Sequence, residues 1–342
     1  MGRPTIADVA AESGLSVSTV NRVLNGKQNV REETVHKVFR AAEAIGYHAA
    51  PLIKYRLQED LPEVRLGVLL QKEDQRFYQN FAAAIENAVS SLSHVRARVE
   101  IIYAGSQDPD EQAELLLKLG ARAQVLAATA VDHHGITAAV QRLKARDIPV
   151  YALLNDFAQG VRHNYVGLNN LKIGRLAAWT ISKAAQRPGK VAIFVGGLRW
   201  HGHQLRETGF RAYFREYSPE FTLLETLVNL ETRQVTYEAT LDLLHRHPDL
   251  RGIFVAGGGM EGAIQALREM RQPDEVALVV NELTDLSATG LQEHYVSLID
   301  ATPLDKLCTA LVADMVTAAL DGATDTPGQI FLQPDLYVPE SL

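Results

Sequence analysis

From Val64 onward, short runs rich in Val, Ile and Leu alternate with longer stretches of helical period, and this alternation constrains the fold more than any other feature. The strands are expected at Val64–Leu70, Val99–Tyr103, Val125–Ala128, Val150–Leu154, Val191–Val195, Leu223–Val228, Ile253–Ala256, Val276–Val280 and Val296–Ile299, with helical patterns filling each gap. Strand–helix–strand units of this kind build a parallel sheet. Two such series, changing over at Tyr165-Val-Gly-Leu-Asn169, predict two similar α/β lobes with a ligand cleft at the C-terminal strand ends.

A chain of 342 residues exceeds what one core usually supports, so at least two domains are expected. No apolar run approaches the roughly 20 residues of a membrane span, and Met1-Gly2-Arg3-Pro4-Thr5 lacks a signal peptide's apolar core. A cytoplasmic protein without membrane contact is expected. The single cysteine, Cys308, excludes an internal disulfide and a thiolate metal site; with Leu304, Leu307, Leu311 and Val312 around it, it reads as a packed thiol on an apolar helix face.

The net charge of −7 conceals an asymmetry. Residues 1–57 hold eight Lys and Arg against five acids, a balance of +3, which leaves −10 on the remaining 285 residues. A small polyanion-binding module on an acidic body has this distribution.

Three short helices are legible in that basic segment. Thr5 with Asp8 forms a capping box for a first helix whose apolar face is Ile6, Val9 and Ala10. Gly14 ends it, and Ser16 caps the next helix two residues later, a tight helix-turn-helix corner. In the second helix Val20, Val23 and Leu24 share one face and leave Val17, Ser18, Asn21 and Arg22 outward, with Asn25-Gly26 closing it. A third runs from about Arg31 to Ala44 and stops at Gly46. Small side chains with an Arg one turn on suit a major groove, where Arg donates a bidentate pair to guanine; a three-helix bundle with a solvated face is the plainer reading.

The string Thr5-Ile-Ala-Asp-Val-Ala-Ala-Glu-Ser-Gly-Leu-Ser-Val-Ser-Thr-Val-Asn-Arg-Val-Leu-Asn25 resembles the DNA-binding signature of the LacI family almost position by position. The resemblance implies a double-stranded DNA operator as partner and a DNA-facing set of Thr5, Ser16, Val17, Ser18, Thr19, Asn21, Arg22, Asn25 and Asn29. Within it Val17 and Ser18 take the variable base-reading pair and Arg22 the guanine reader; Asn21 stands where serine is usual. The family's hinge helix matches Tyr47-His-Ala-Ala-Pro-Leu-Ile-Lys-Tyr-Arg-Leu57 loosely, with Leu57 as the minor-groove wedge or, alternatively, an apolar contact to the body. The implied organisation is a helix-turn-helix domain over 1–47, a hinge over 48–61, and an effector domain over 62–342. Its lobes are approximately 62–166 with 301–325, and 167–300 with 326–342.

That body resembles the family's periplasmic-binding-protein-like effector domain through Arg-Asp-Ile-Pro-Val150, Tyr165-Val-Gly-Leu-Asn-Asn170 and Arg206-Glu-Thr-Gly-Phe210. Strand ends and the resemblance together nominate effector contacts. Phe77 and Tyr78 follow the first strand as stacking aromatics or first-turn core. Asn155 and Asp156 follow the fourth, Asp156 to accept paired ligand hydroxyls. Trp200 and His201 stack on a ring or seal a helix start, and Arg206 points into the cleft or pairs with Glu207 or Glu261. Asn281, Glu282 and Asp300 end the eighth and ninth strands. Gly257-Gly258-Gly259 replaces the family's usual Asn-Asp pair, and bare N–H groups before a helix would welcome an anion or a bulky ligand.

Catalysis is not expected. The glycine run comes in the seventh unit, where no dinucleotide fingerprint belongs, no Gly-x-Ser-x-Gly elbow occurs, and the His133-His134 and His201, His203 pairs lack metal-motif neighbours. No cofactor and no metal are expected. The fold class is an N-terminal all-α helix-turn-helix domain followed by a two-lobed parallel α/β domain. The function the resemblance implies is that of a homodimeric transcriptional repressor controlled by a small sugar-like effector, such as a sugar, polyol or sugar derivative; the alternative is a solute-binding protein of a sugar transport system. Phe331–Leu342 carries no leucine heptad, so a coiled-coil tetramer is not expected.

Overall fold

The computed structural model describes residues 3–25, 30–51, 53, 61–324 and 326–342. Asn29 and Leu57, expected on DNA, lie outside the described residues, as does most of the expected hinge. The chain divides into two compact units, Met1–Val64 with Ser91–Arg98, and Arg65–Ser90 with Val99–Leu342.

In the first unit, helices α1 (Ile6–Ser13), α2 (Val17–Leu24) and α3 (Glu32–Ala44) close on a small core of Val9, Ala10, Val20, Val23, Val38, Ala41 and Ala42. Tyr47, Ala50 and Ile53 are buried in the same core. The helical unit therefore runs past residue 47 into the segment expected to be hinge, because those three apolar side chains pack into the core of the three helices.

The second unit holds two parallel sheets. The first has the order β12-β5-β4-β3-β1-β2, built from β1 (Glu63–Gln71), β2 (Arg96–Ala104), β3 (Val125–Ala128), β4 (Val150–Leu153), β5 (Asn164–Leu168) and β12 (Gly328–Leu332). Helices α4 (Arg76–Ser90), α5 (Pro109–Leu119), α6 (His134–Lys144) and α12 (Leu304–Asp321) belong with it, α12 packing against α4. The second sheet follows β13-β11-β10-β9-β6-β7, with β8 beside β6. Its strands are β6 (Lys190–Val195), β7 (Thr222–Leu223), β8 (Leu227–Val228), β9 (Leu250–Val255), β10 (Ala277–Asn281), β11 (Leu298–Ala301) and β13 (Asp335–Tyr337). Helices α7 (Asn170–Ala184), α8 (His201–Tyr217), α9 (Arg233–Arg246), α10 (Met260–Met270) and α11 (Asp285–Gln292) cover it. Central strands are buried along their whole length and mostly apolar, as strands covered on both faces are: β9 and β10 are buried at every residue.

The chain changes lobe after β5, after β11 and after β12. Gly328 of β12 pairs with Asn164 of β5, so the last return falls beyond Leu332 rather than near residue 326 as the sequence implied. β13 then pairs antiparallel with β11. The single run expected at Leu223–Val228 is two short pieces, β7 and β8, each beside a different part of β6. Cys308 is fully buried on α12, and burial pushes its thiol up to about 12, an inert packing residue.

Candidate ligand cleft and nucleic-acid interface

In the helical unit the caps fix the corner. Thr5 N–H donates to Asp8 Oδ2 at 2.7 Å while Asp8 N–H donates back to Thr5 Oγ1 at 3.4 Å. Gly14 turns at φ +65°, and Thr19 N–H donates to Ser16 Oγ at 3.2 Å to open α2. With Val20 and Val23 buried, α2 turns Val17, Ser18 and Arg22 to solvent and leaves Asn21 half-buried; Val17 is 47% exposed. An exposed apolar residue among short polar ones gives a surface that a base methyl and base edges can meet.

In the α/β unit a cavity of about 500 Å³ opens between the lobes at the strand ends. The first lobe lines it with Phe77 and Tyr78 from the start of α4, and with Thr129, Leu154 and Asn155; the second contributes Asn170, Trp200, His203, Arg206, Glu231, Asn281 and Glu282. Its polar groups are anchored from behind. Arg206 donates through Nε to Asn170 Oδ1 at 2.7 Å and through Nη1 to Ala256 O at 2.9 Å, which uses two of five donors and aims the remainder. Gly174 and Gly209 let α7 and α8 approach so closely that a β-carbon at Gly174 would lie 1.8 Å from Arg206 O. The close crossing sets where Arg206 leaves its helix.

Glu282, at φ +67° just after β10, accepts from Thr302 N–H at 3.0 Å and Thr302 Oγ1 at 2.6 Å. Beneath it Asn281 Nδ2 donates to Asp300 Oδ1, while Asn281 Oδ1 and Asp300 Oδ2 have no partner among the described residues. Burial pushes the Asp300 carboxyl up to about 8, with Arg206 opposing and Glu282 adding, and burial raises Glu282 against its Thr302 bonds. Across the floor, His203 Nδ1 accepts from Gly196 N–H at 3.1 Å; burial drives its pKa down to about 4 despite Glu231, so the ring is neutral near pH 7. Burial opposes charge on Glu231, but His203, the Lys72 ammonium and Gly258 N–H outweigh it and hold that carboxyl below its ordinary value. Burial, Glu231 and Glu282 together raise the Tyr78 hydroxyl, which stays a neutral donor. Aromatic faces, the Arg206 guanidinium with spare donors, and acceptor carboxylates compose a site for a compact hydroxylated ring. Among the described residues no three His, Cys, Asp or Glu side chains gather as a metal site requires.

Comparison with known proteins agrees with both units. The model of bacterial regulatory proteins, lacI family, matches residues 5–50, and that of the periplasmic binding protein domain matches residues 66–324. The chain belongs to the LacI family. This LacI-family member is a DNA-binding transcriptional regulator, and the family is one of regulators rather than enzymes. It is 25% identical to the HTH-type transcriptional regulator CelR of Thermobifida fusca over 99% of this chain and 98% of that one. It is 24% identical to the HTH-type transcriptional regulator DegA of Bacillus subtilis (strain 168), over 81% of each. An ABC transporter solute-binding protein of Burkholderia graminis C4D1M, solved with D-arabinose, superposes with TM-score 0.75 at 19% identity over 82% of this chain and 97% of that one. No described helix of the LacI-family chain is long and apolar enough to cross a membrane.

The LacI-family cleft gathers most of the nominated effector residues but not all. Phe77, Tyr78, Asn155, Trp200, Arg206, Asn281 and Glu282 line it. Asp156 does not. Its carboxylate turns away from the cleft into a buried pair with Arg162, so it has no oxygen to offer there. Asn155 lines the wall with its amide committed, Nδ2 to Ala130 O at 2.6 Å and Oδ1 to Gly202 N–H at 2.8 Å. His201 is absent from the lining, and Asp300 acts one layer down through Asn281. Trp200 is both things expected of it: it starts α8, its indole N–H donates to Gln107 Oε1, and its ring faces the cavity. Arg206 makes no pair with Glu207, which binds Arg211 instead.

The anion expected at Gly257-Gly258-Gly259 is the chain's own. The Glu231 side chain lies against Gly257 and Gly258 and fills the space before α10. Sequence reasoning missed Glu231, His203 as a cleft residue, and the Arg206 partner Asn170. Only the glycine run signalled that something large sits opposite it.

Proposed function

We propose that the protein is a homodimeric repressor of the cytoplasm, released from or fixed to its operator by a neutral or derivatised sugar or polyol bound between the lobes. The observation that carries the effector reading is Arg206, held by Asn170 and Ala256 O with donors to spare, facing Phe77, Tyr78 and Trp200 across a cavity of about 500 Å³. Solute-binding proteins solved with D-allose and with D-arabinose share the lobed fold, and that likeness supports the class without naming the compound.

On the DNA side, Val17, Ser18, Asn21 and Arg22 read bases, while Thr5, Ser16, Thr19 and Asn25 flank them; Asn29 and Leu57 complete the set proposed from sequence. Two such helices related by a two-fold axis would read two half-sites, which is why a dimer is required. Effector binding shifts the lobe arrangement, and operator affinity follows by linkage.

A thermal-shift screen of sugars, polyols and sugar acids tests the effector class. A compound at 100 times its Kd stabilises the folded chain by about 2.7 kcal/mol, a clear rise in Tm. The same compound must alter binding to an operator selected from random duplexes, read by fluorescence anisotropy. A screen in which no such compound moves both readouts removes the class.

A further inference from the structure

Glu231 occupies a slot that three glycines keep open. A β-carbon at Gly196 would lie 2.4 Å from its Cγ, one at Gly257 3.1 Å from its Oε1, and one at Gly258 3.0 Å from its Cβ. These glycines follow β6 and β9, so two neighbouring strand ends are cleared for a single side chain. Leu230 and Glu231 both adopt positive φ, +53° and +54°, a conformation neither residue favours. Asn229 enforces it: its Oδ1 accepts from Glu231 N–H at 2.9 Å and its Nδ2 donates to Gly258 O at 2.8 Å.

The partner of this carboxylate comes from the other lobe. Lys72, directly after β1 and itself at φ +43°, places Nζ 3.1 Å from Glu231 Oε2. Both side chains are largely removed from water, at 25% and 16% exposure, where apolar residues would tie the lobes together at lower desolvation cost. An ionised carboxylate is acceptor-only, and Lys supplies it with donors on a flexible stem.

We propose that Glu231 is the second lobe's specificity-determining carboxylate and that Lys72 is its internal placeholder, displaced when ligand hydroxyls enter the cleft. This rests on the sugar reading above and narrows it. The group facing Glu231 is a neutral hydroxyl pair, because an anionic substituent there would meet a charged carboxylate.

Trp200 reports on the cleft once the only other tryptophan is removed by Trp179→Phe. In that background D-allose and D-arabinose are titrated against the full chain and against Glu231→Gln and Lys72→Met. For a sugar that binds, Glu231→Gln should weaken binding about tenfold or more, as loss of a charge-assisted bond does. Lys72→Met should tighten it, because the competitor is gone. Weakening by both substitutions, or none by Glu231→Gln, overturns the proposal. Acrylamide quenching of Trp200 without sugar is the second arm: both substitutions should raise it by untying the lobes, and unchanged quenching overturns the placeholder whatever sugars do. If neither sugar binds the parent chain, the sugar reading is decided by the wider thermal-shift screen, and quenching alone decides whether Lys72 holds Glu231.

Discussion

Asp156 and Arg162 face each other inside the first lobe through two hydrogen bonds, Nε to Oδ1 at 2.5 Å and Nη2 to Oδ2 at 2.8 Å, with both side chains at most 6% exposed. Arg162 continues to Gly328 O at 2.7 Å, and Gln329 Nε2 reaches Asp156 Oδ2 at 3.4 Å. The carboxylate expected to bind a ligand instead fastens the β4–β5 loop to β12, the strand that returns to this sheet from far along the chain.

Asp156→Ala should therefore unfold the protein more easily rather than silence a ligand. Removing one partner of a buried pair leaves the Arg162 guanidinium uncompensated and costs about 3–5 kcal/mol. Urea unfolding should register that loss, and adding Arg162→Met should recover much of it. A single variant of parental stability that has lost its ligand response would return Asp156 to the pocket.

The α7–α8 crossing yields a second expectation. A methyl at Gly174 meets the Arg206 carbonyl, and one at Gly209 would lie 2.1 Å from Leu171 O, so both clashes are with backbone and no rotamer relieves them. Gly174→Ala should cost about 1–3 kcal/mol, as overpacking does, and should displace Arg206 from its partners. The check is a urea midpoint beside a ligand titration; parental values in both would refute the close approach.

These two cases mark what the sequence could convey. Helix α2 was legible because local rules set it: Ser16 caps, Val20 and Val23 pack, and Arg22 faces out. Strand positions were legible because β3, β9 and β10 are buried on both faces and read as apolar runs. The direction of Asp156 was not legible, since it depends on β12, which pairs with β5 across nearly half the chain. Glu231 was hidden for the same reason: its place follows from β7 and β8 being separate pieces, and from glycines far away in sequence. Distances along the chain of that size leave no periodicity to read.

Two buried groups shape the response to pH in opposite senses. Asp300 titrates at about 8 when folded against an ordinary 3.8, so between those values the folded chain keeps a proton the unfolded chain has lost, and stability falls as pH rises. His203 titrates at about 4 against an ordinary 6.5, so over that interval the unfolded chain holds the extra proton and stability rises with pH. The two offset each other from about 4 to 6.5, and Asp300 acts without that opposition from 6.5 to 8, while burial shifts Glu282 in the same direction as Asp300. Tm should thus hold level at the lower pH and decline above 6.5. Asp300→Asn, neutral throughout, should flatten that decline; equal slopes in the two proteins between pH 6.5 and 8 would rule Asp300 out as its source.

Arg22 gives the sharpest test of the DNA surface. It is exposed on α2, and its one described side-chain bond, Nη2 to Thr19 Oγ1 at 3.5 Å, is at the limit of hydrogen bonding. Removing it costs the fold almost nothing, so Arg22→Ala should unfold like the parent. A guanine-reading Arg contributes about 1–3 kcal/mol of base discrimination, and its loss should relax specificity at one operator position per half-site. A phosphate contact would behave differently: binding would weaken alike on every sequence, and the dependence on salt would shallow by about one counterion. Anisotropy titrations on the selected operator and on single-base variants, each at two salt concentrations, separate these outcomes. Specificity unchanged at every position would remove Arg22 from the base-reading face and leave that role to Val17, Ser18 and Asn21.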